Sequence, residues 1–145
     1  MILSDLSSFN KVVSIEVFWG DMDAANHVNN LIYMRWTETA RISYFMDVGI
    51  STNFSGAEIG PILAFQDCKY IYPMTFPDTA QVGMKTTKIL DDRIEMEAAV
   101  FSTVHNRLAA ISKQIVIPYD YGALKKSPIP ANWISGIEDL EKINF

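Results

Sequence analysis

The chain has 145 residues, of which 49% are hydrophobic and 20% charged, and its formal net charge is −5. This length fits one domain covering residues 1–145, and the composition excludes an intrinsically disordered chain. The negative charge, with no basic stripe beyond Lys125 and Lys126, argues against a nucleic-acid partner. Residues 1–10 lack the pattern of a secretory signal and no apolar run reaches membrane-spanning length, so we predict a cytoplasmic protein without a membrane span.

Cysteine and histidine are scarce. Cys68 is the only cysteine, which rules out an internal disulfide, and we expect it to be a buried small side chain. No group of Cys and His residues has the spacing of a metal site. We therefore expect no bound metal.

The first predicted strand covers residues 12–19. Its side chains alternate between apolar and more polar positions, a period of two that is typical of a half-buried strand. The apolar residues that would share one face are Val13, Ile15, Val17 and Trp19. Gly20 ends this strand, and a polar turn follows.

A long helix is predicted over residues 31–48, with Asn29 or Asn30 as its N-cap and Gly49 as its stop. The apolar positions at helical spacing are Tyr33, Trp36, Ala40 and Tyr44. Charged residues recur three apart on the opposite face, where we expect a solvated ladder of Arg35, Glu38 and Arg41. So much apolar surface indicates a helix that is buried on most sides.

Beyond a loop at residues 51–60, the remaining chain alternates between strand and turn patterns. We predict four strands in a meander, at residues 63–72, 80–90, 94–103 and 108–117, and a short helix at residues 131–142. This order indicates an α+β protein in which one antiparallel sheet covers its apolar face with one long helix.

The segment from Phe18 to Asn30 carries the candidate chemistry. It contains two aspartates, one histidine and three asparagines, and no other segment has so many groups able to move a proton or polarise a carbonyl. Asp23 lies a few residues before the predicted helix start. A helix N-terminus offers unpaired N–H donors and the positive end of the helix dipole, which suits a developing oxyanion.

The run Trp19-Gly20-Asp21-Met22-Asp23, followed by His27-Val28-Asn29-Asn30, resembles the 4-hydroxybenzoyl-CoA thioesterase-like family of hot-dog proteins. The residues that continue this resemblance along the helix are Tyr33, Trp36, Glu38, Ala40 and Arg41. The His-Val-Asn-Asn element is also similar to plant acyl-ACP thioesterases of the same fold, although those carry Asn where this chain has Ala25. The resemblance implies a curved antiparallel sheet around one central helix, edge-to-edge homodimers that can pair into homotetramers, and active sites at the dimer interface.

By this resemblance the reaction is hydrolysis of an acyl thioester, with CoA or acyl carrier protein as part of the substrate and no separate cofactor. Asp23 is the expected nucleophile or general base, His27 a helper, and the helix amide near Asn30 the expected oxyanion donor. Neighbouring residues expected to contact the substrate are Trp19, Asn29 and Leu31.

Several interpretations stay open at the level of sequence. Asp23 could be a turn residue, and Asn29 and Asn30 could be structural caps. His27 could orient Asp23, contact the substrate or fill the turn. An enoyl-thioester hydratase or dehydratase that recruits His27, and a non-catalytic acyl-CoA-binding module, are the alternative functions.

Overall fold

Residues 6–53 and 59–145 are described by a computed structural model of the chain. Along the chain they form β1 (Lys11–Glu16), a short 3-10 helix (Trp19–Asp21), α1 (Asn30–Val48), β2 (Ile59–Gln66), β3 (Lys69–Tyr70), β4 (Thr79–Ile89), β5 (Ile94–Ser102), β6 (Arg107–Asp120), β7 (Lys125–Lys126) and α2 (Ala131–Glu141). Residues 54–58 of the predicted loop lie outside the described residues. Neither helix in these ranges is long and apolar enough to cross a membrane.

The strands form one antiparallel sheet in the order β1-β4-β5-β6-β2, with β3 and β7 also paired with β6. This confirms the predicted α+β class. The meander is confirmed only for β4, β5 and β6, because β2 pairs with β6 and not with β4. The edge of β4 where a meander would place β2 is already taken by β1, whose Lys11 lies opposite Met84.

The central helix α1 lies against β1, β4, β5 and α2. Asn29 caps its start, since the Asn29 side chain accepts a hydrogen bond from the Leu31 N–H, and Gly49 ends it with φ +83°. That left-handed backbone favours glycine, which has no Cβ to clash. The predicted apolar positions are all buried, namely Tyr33, Trp36, Ala40 and Tyr44. The helix is therefore the core element that the periodicity predicted.

Arg41 corrects the predicted solvated face of α1. Its side chain is buried, and its Nη1 donates to Gln114 Oε1 on β6 over 2.7 Å. Burial lowers the pKa of Arg41, and Glu38, whose carboxylate lies 3.9 Å away, acts in the opposite direction. The prediction that Arg41 faces solvent was wrong. The charge spacing along one helix carries no information about Gln114, whose side-chain amide lies on a distant strand.

The predicted strand at residues 63–72 is two strands. Asp67 separates β2 from β3: its N–H donates to the Lys113 carbonyl, and its Oδ1 accepts from the Lys113 N–H. A register shift between Leu63 and Phe65 adds a second irregularity. Both strands still pair with β6, so β2 and β3 together form one edge of the sheet.

The terminal helix α2 packs on α1 at very close range. A Cβ built on Gly136 would lie 2.0 Å from the Val48 carbonyl oxygen, so only glycine allows this approach. The predicted terminal helix is confirmed, and its buried side chains are Trp133 and Ile137. At the end of the helix, Glu141 Oε2 accepts hydrogen bonds from Tyr44 Oη at 2.6 Å and from the N–H of Thr86 at 2.9 Å.

Candidate active site

The polar segment before α1 begins with a 3-10 helix that Asp21 stabilises. The N–H of Phe18 donates to Asp21 Oδ2 over 2.8 Å, and the N–H of Asn29 donates to the Asp21 carbonyl over 2.9 Å. Asp21 therefore shapes the turn through both its side chain and its backbone. The prediction that Trp19 shares the apolar face of the first strand is wrong, because β1 ends at Glu16 and Trp19 is 72% exposed.

Asp23 opens a tight loop that returns to the start of the helix. Its N–H donates to the carbonyl of His27, and its own carbonyl accepts from the N–H of Asn26. Asn26 has φ +60°, a left-handed conformation that Asn tolerates better than most residues. Met22 and Val28 form an isolated bridge across the base of this loop. The loop therefore fixes the backbone of Asp23 close to the helix N-terminus.

The Asp23 carboxylate is exposed and accepts two hydrogen bonds. Ala25 N–H donates to Oδ1 over 2.9 Å, and Asn29 Nδ2 donates to Oδ2 over 3.4 Å. Asn29 also accepts from the N–H of Leu31 through its Oδ1. One asparagine side chain thus both caps α1 and orients the candidate catalytic carboxylate.

The amides at the start of α1 differ in what they bind. The Asn29 N–H donates to Asp21 and the Leu31 N–H to the Asn29 side chain, while the Ile32 N–H donates to the Asn29 carbonyl. The Asn30 N–H has no acceptor among the residues the structure describes. Of the three amides at residues 29–31, that of Asn30 is thus the donor left for an oxyanion.

The other predicted site residues surround this loop. His27 is exposed, and the two partners of the Asp23 carboxylate are Ala25 and Asn29 and not the imidazole. Leu31 is 69% exposed at the first turn of the helix. The structure thus brings Asp23, Asn29 and Asn30 together and leaves the side chains of His27, Trp19 and Leu31 open to solvent around them.

A cavity of about 230 Å³ adjoins the helix N-terminus, lined by Val28, Asn30, Tyr33, Tyr70, Ile71, Tyr72 and Pro73. Tyr70 Oη donates to the Asn30 carbonyl over 2.9 Å, and its ring lies edge-on to Tyr33, with 5.3 Å between ring centroids. Tyr33 Oη accepts from the Met74 N–H. Burial raises the pKa of Tyr33, and the Met74 N–H acts in the opposite direction.

The tyrosines of this cavity were not predicted as site residues. Tyr70 and Tyr72 alternate with Lys69 and Ile71, a pattern that places them on one face of an extended segment. That pattern was visible, but it gave no sign that this face points at the start of α1. Cys68, expected to be buried, is only half-buried beside them and packs against the edge of the core; burial raises the pKa of its thiol.

Three similar solved structures share this fold over nearly the whole chain. A thioesterase from Thermus thermophilus, solved with coenzyme A and zinc, is 26% identical with a TM-score of 0.83, over 96% of this chain and 99% of that chain. A Pseudomonas aeruginosa protein is 22% identical with a TM-score of 0.81, over 93% and 94% of the two chains. A 1,4-dihydroxy-2-naphthoyl-CoA thioesterase from Synechocystis is 19% identical with a TM-score of 0.80, over 90% and 97%. These similarities confirm the hot-dog fold expected from the sequence.

Family membership rests on the sequence itself. No curated protein matches the chain. Within the described residues no three His, Cys, Asp or Glu side chains are grouped as a metal site would need. Residues 17–137 match the model of the thioesterase-like superfamily, a range that includes the polar loop, α1 and β2 to β6. The chain therefore belongs to the thioesterase-like superfamily, and its class of activity is thioester hydrolysis.

Proposed function

We propose that this protein hydrolyses an acyl-CoA or acyl-ACP thioester, with Asp23 as its catalytic carboxylate and the Asn30 N–H as its oxyanion donor. The observation that carries this proposal is the hydrogen bond from Asn29 to Asp23, made by the residue that also caps α1. It links an exposed carboxylate to the helix end where one amide has no acceptor among the described residues. These are the two functions that thioester hydrolysis requires.

Two routes fit this arrangement. As general base, Asp23 takes a proton from water while the water oxygen adds to the thioester carbon; the carbon–sulfur bond then breaks, and the thiolate leaves and takes up the proton. As nucleophile, an Asp23 oxygen adds to the same carbon and expels the thiolate, and water hydrolyses the resulting anhydride. In both routes negative charge develops on the carbonyl oxygen, where the Asn30 N–H and the helix dipole stabilise it.

The acyl group is assigned to the tyrosine-lined cavity. Its volume of about 230 Å³ and its lining by Tyr33, Tyr70 and Tyr72 suit a short or aromatic acyl group better than a long chain. The Synechocystis relative is named for an aromatic acyl-CoA, and the Thermus relative was solved with coenzyme A. The exposed Trp19 and Leu31 side chains are assigned to contacts with the thiol portion of the substrate.

A homodimer formed through β2 completes the proposal. β2 pairs with β6 on one side only among the described residues, and Leu63 and Phe65 on it are 38% and 48% exposed. An unpaired strand edge with apolar side chains is a surface that pairs readily with a second copy. Light scattering on the purified protein should give twice the mass of the 16.4 kDa chain, or four times for a tetramer; a monomer would contradict this part.

The alternative functions lack a specific supporting contact. A hydratase needs an acid paired with a histidine, and the partners of the Asp23 carboxylate are Ala25 and Asn29. A single domain over residues 1–145, a cytoplasmic location and the absence of a cofactor other than the substrate's own CoA or carrier protein stay predictions.

The experiment that tests the function is release of free thiol from a panel of acyl-CoAs, including benzoyl-CoA and a matching enoyl-CoA, followed with a disulfide dye. Stoichiometric thiol and acid from at least one member, with the highest kcat/KM for a short or aromatic acyl group, is the expected result. Water addition to the enoyl-CoA without thiol release would replace the thioesterase by a hydratase. Binding without turnover on CoA and carrier-protein thioesters would indicate a binding module.

A further inference from the structure

Two exposed side chains, His105 and Arg107, lie against the half-buried Tyr72 at one side of the tyrosine-lined cavity, outside the polar loop of residues 18–30. The Arg107 guanidinium carbon lies 4.2 Å from the centre of the Tyr72 ring, and the His105 ring lies 5.1 Å from it. Tyr72 is itself part of the cavity lining. We call Tyr72, His105 and Arg107 the Tyr72 cluster.

The fold fixes the position of this cluster. Tyr72 N–H donates to the Ala109 carbonyl, which places its ring beside the start of β6. The β5–β6 turn is bound to the buried Asp78 carboxylate: Ser102 Oγ donates to its Oδ2 and the Val104 N–H to its Oδ1. His105 N–H donates in turn to Ser102 Oγ. Both oxygens of the Asp78 carboxylate therefore accept hydrogen bonds from the β5–β6 turn.

Arg107 differs from the paired arginines of the chain. Arg41 has Glu38 at 3.9 Å and Arg93 has Asp92 at 3.0 Å. Arg107 is exposed and forms no ion pair with a carboxylate in the part of the chain that the structure describes. Its side chain is held by contact with an aromatic ring, which leaves its N–H donors directed to solvent.

The substrate class proposed above carries phosphate. CoA has a diphosphate and a ribose phosphate, and both CoA and acyl carrier protein present the thiol on a 4′-phosphopantetheine arm. A chain of net charge −5 must offer local positive charge where such a group binds. A guanidinium fits phosphate oxygens with paired N–H donors.

The distance between the cluster and the helix N-terminus suits the flexible pantetheine arm. Tyr70, whose hydroxyl contacts the Asn30 carbonyl, and Tyr72 are two residues apart, a separation of at most roughly 7 Å along the backbone. The contact between Tyr72 and Arg107 adds to this separation. The guanidinium is therefore on the order of 10 Å from the Tyr70 ring, which lies beside the proposed reaction site. We propose that Arg107, positioned by Tyr72 and assisted by the imidazole of His105, binds a phosphate of the 4′-phosphopantetheine-bearing thiol; this rests on the proposed thioesterase function.

The test compares one acyl group presented as its CoA, 4′-phosphopantetheine and pantetheine thioester, the last of which has no phosphate. In Arg107→Gln we expect KM to rise about tenfold for a phosphate-bearing thioester, the loss of one charge-assisted contact, and to stay unchanged for the pantetheine thioester. Lys142→Gln is the matched control, since it removes one positive charge at the end of α2, which packs on α1 and β4. It should behave like wild type with all three substrates.

The three substrates also distinguish the source of the phosphate. A rise in KM with CoA alone places the contact on the nucleotide phosphates, and a rise with both phosphorylated thiols places it on the phosphate shared with acyl carrier protein; both results support the proposal. An equal loss on the pantetheine thioester, or no change on any substrate, would overturn it.

Binding provides a readout that does not depend on turnover. Titration calorimetry of wild type and Arg107→Gln with free coenzyme A and free pantetheine should show weaker binding of coenzyme A to the variant and no difference for pantetheine. If wild type hydrolyses none of the thioesters, the proposed function fails while calorimetry still decides whether Arg107 binds phosphate. Equal affinity of both proteins for coenzyme A would reject the site.

Discussion

Asn29 donates a hydrogen bond from Nδ2 to Asp23 Oδ2 over 3.4 Å while its Oδ1 accepts from the Leu31 N–H. The oxygen of this side-chain amide stabilises the start of α1, and its nitrogen binds the Asp23 carboxylate. An aspartate at position 29 could cap the helix equally well but could not donate to Asp23. This separates the structural role of Asn29 from its role in orienting the carboxylate.

The first prediction uses that separation. Asn29→Asp should keep the cap, so its thermal midpoint should stay near that of wild type, but its like charge beside Asp23 should lower kcat/KM about tenfold or more. Asn29→Ala should lose both functions and about 1 kcal/mol of stability. Asn132→Asp, which adds the same charge on α2, is the control. Wild-type kcat/KM in Asn29→Asp would show that this hydrogen bond plays no part in the reaction.

The candidate catalytic loop, residues 18–30, was predictable from sequence because its contacts are local. Asp23, Asn29 and Asn30 lie within eight residues, and the capping preference of Asn together with the start of the apolar period placed them at the helix N-terminus. The cap, the helix and the glycine stop followed from the same short-range rules. The reaction class came from the family motif, since a carboxylate beside a helix end does not identify a substrate.

The rest of the site depends on pairings between distant residues. Tyr70 reaches Asn30 because β3 pairs with β6. Arg107, at the start of β6, reaches Tyr72 because the chain after β3 continues alongside β6. Neither pairing leaves a local signal. For the same reason Arg41 was assigned to solvent, since its partner Gln114 is 73 positions away. The crossing of β2 to the far edge of the sheet is a third example.

The contact between the two helices gives a second prediction. In Gly136→Ala the new Cβ would meet the Val48 carbonyl oxygen at 2.0 Å, so α2 must move and unfolding should become easier by about 1–3 kcal/mol. In an exposed helix the same substitution stabilises by about 1 kcal/mol. Chemical denaturation measures the sign, with Ser135→Ala, an exposed neighbour on α2, as the control. Equal or higher stability of Gly136→Ala would contradict the close approach.

The pH dependence of stability gives a third prediction. Burial, together with the hydrogen bond to Glu141, raises the pKa of Tyr44 above the ordinary 10.0. Below pH 10.0 both folded and unfolded chains keep this proton, and above it only the unfolded chain releases it. The stability of wild type should therefore fall more steeply with rising alkaline pH than that of Tyr44→Phe, by about 1.4 kcal/mol per pH unit.

This comparison is made by denaturant titration of both proteins from neutral to alkaline pH. All other ionisable groups are the same in both proteins, so the difference between the two slopes isolates Tyr44. Tyr44→Phe should be less stable than wild type at neutral pH, since Thr86 and Glu141 lose a partner. Parallel curves at alkaline pH would mean that the Tyr44 proton is not retained on folding.

The central claim is that Asp23 performs the chemistry, and the most direct measurement is kcat/KM for the best thioester of the panel in wild type, Asp23→Asn and the control Asp139→Asn. Asp139 is exposed on α2, and both variants remove one carboxylate with little change in shape. We predict that Asp23→Asn keeps its thermal midpoint and loses about a hundredfold to ten-thousandfold in rate, while Asp139→Asn matches wild type. Full activity in a folded Asp23→Asn protein would contradict the account and move the reaction to another residue.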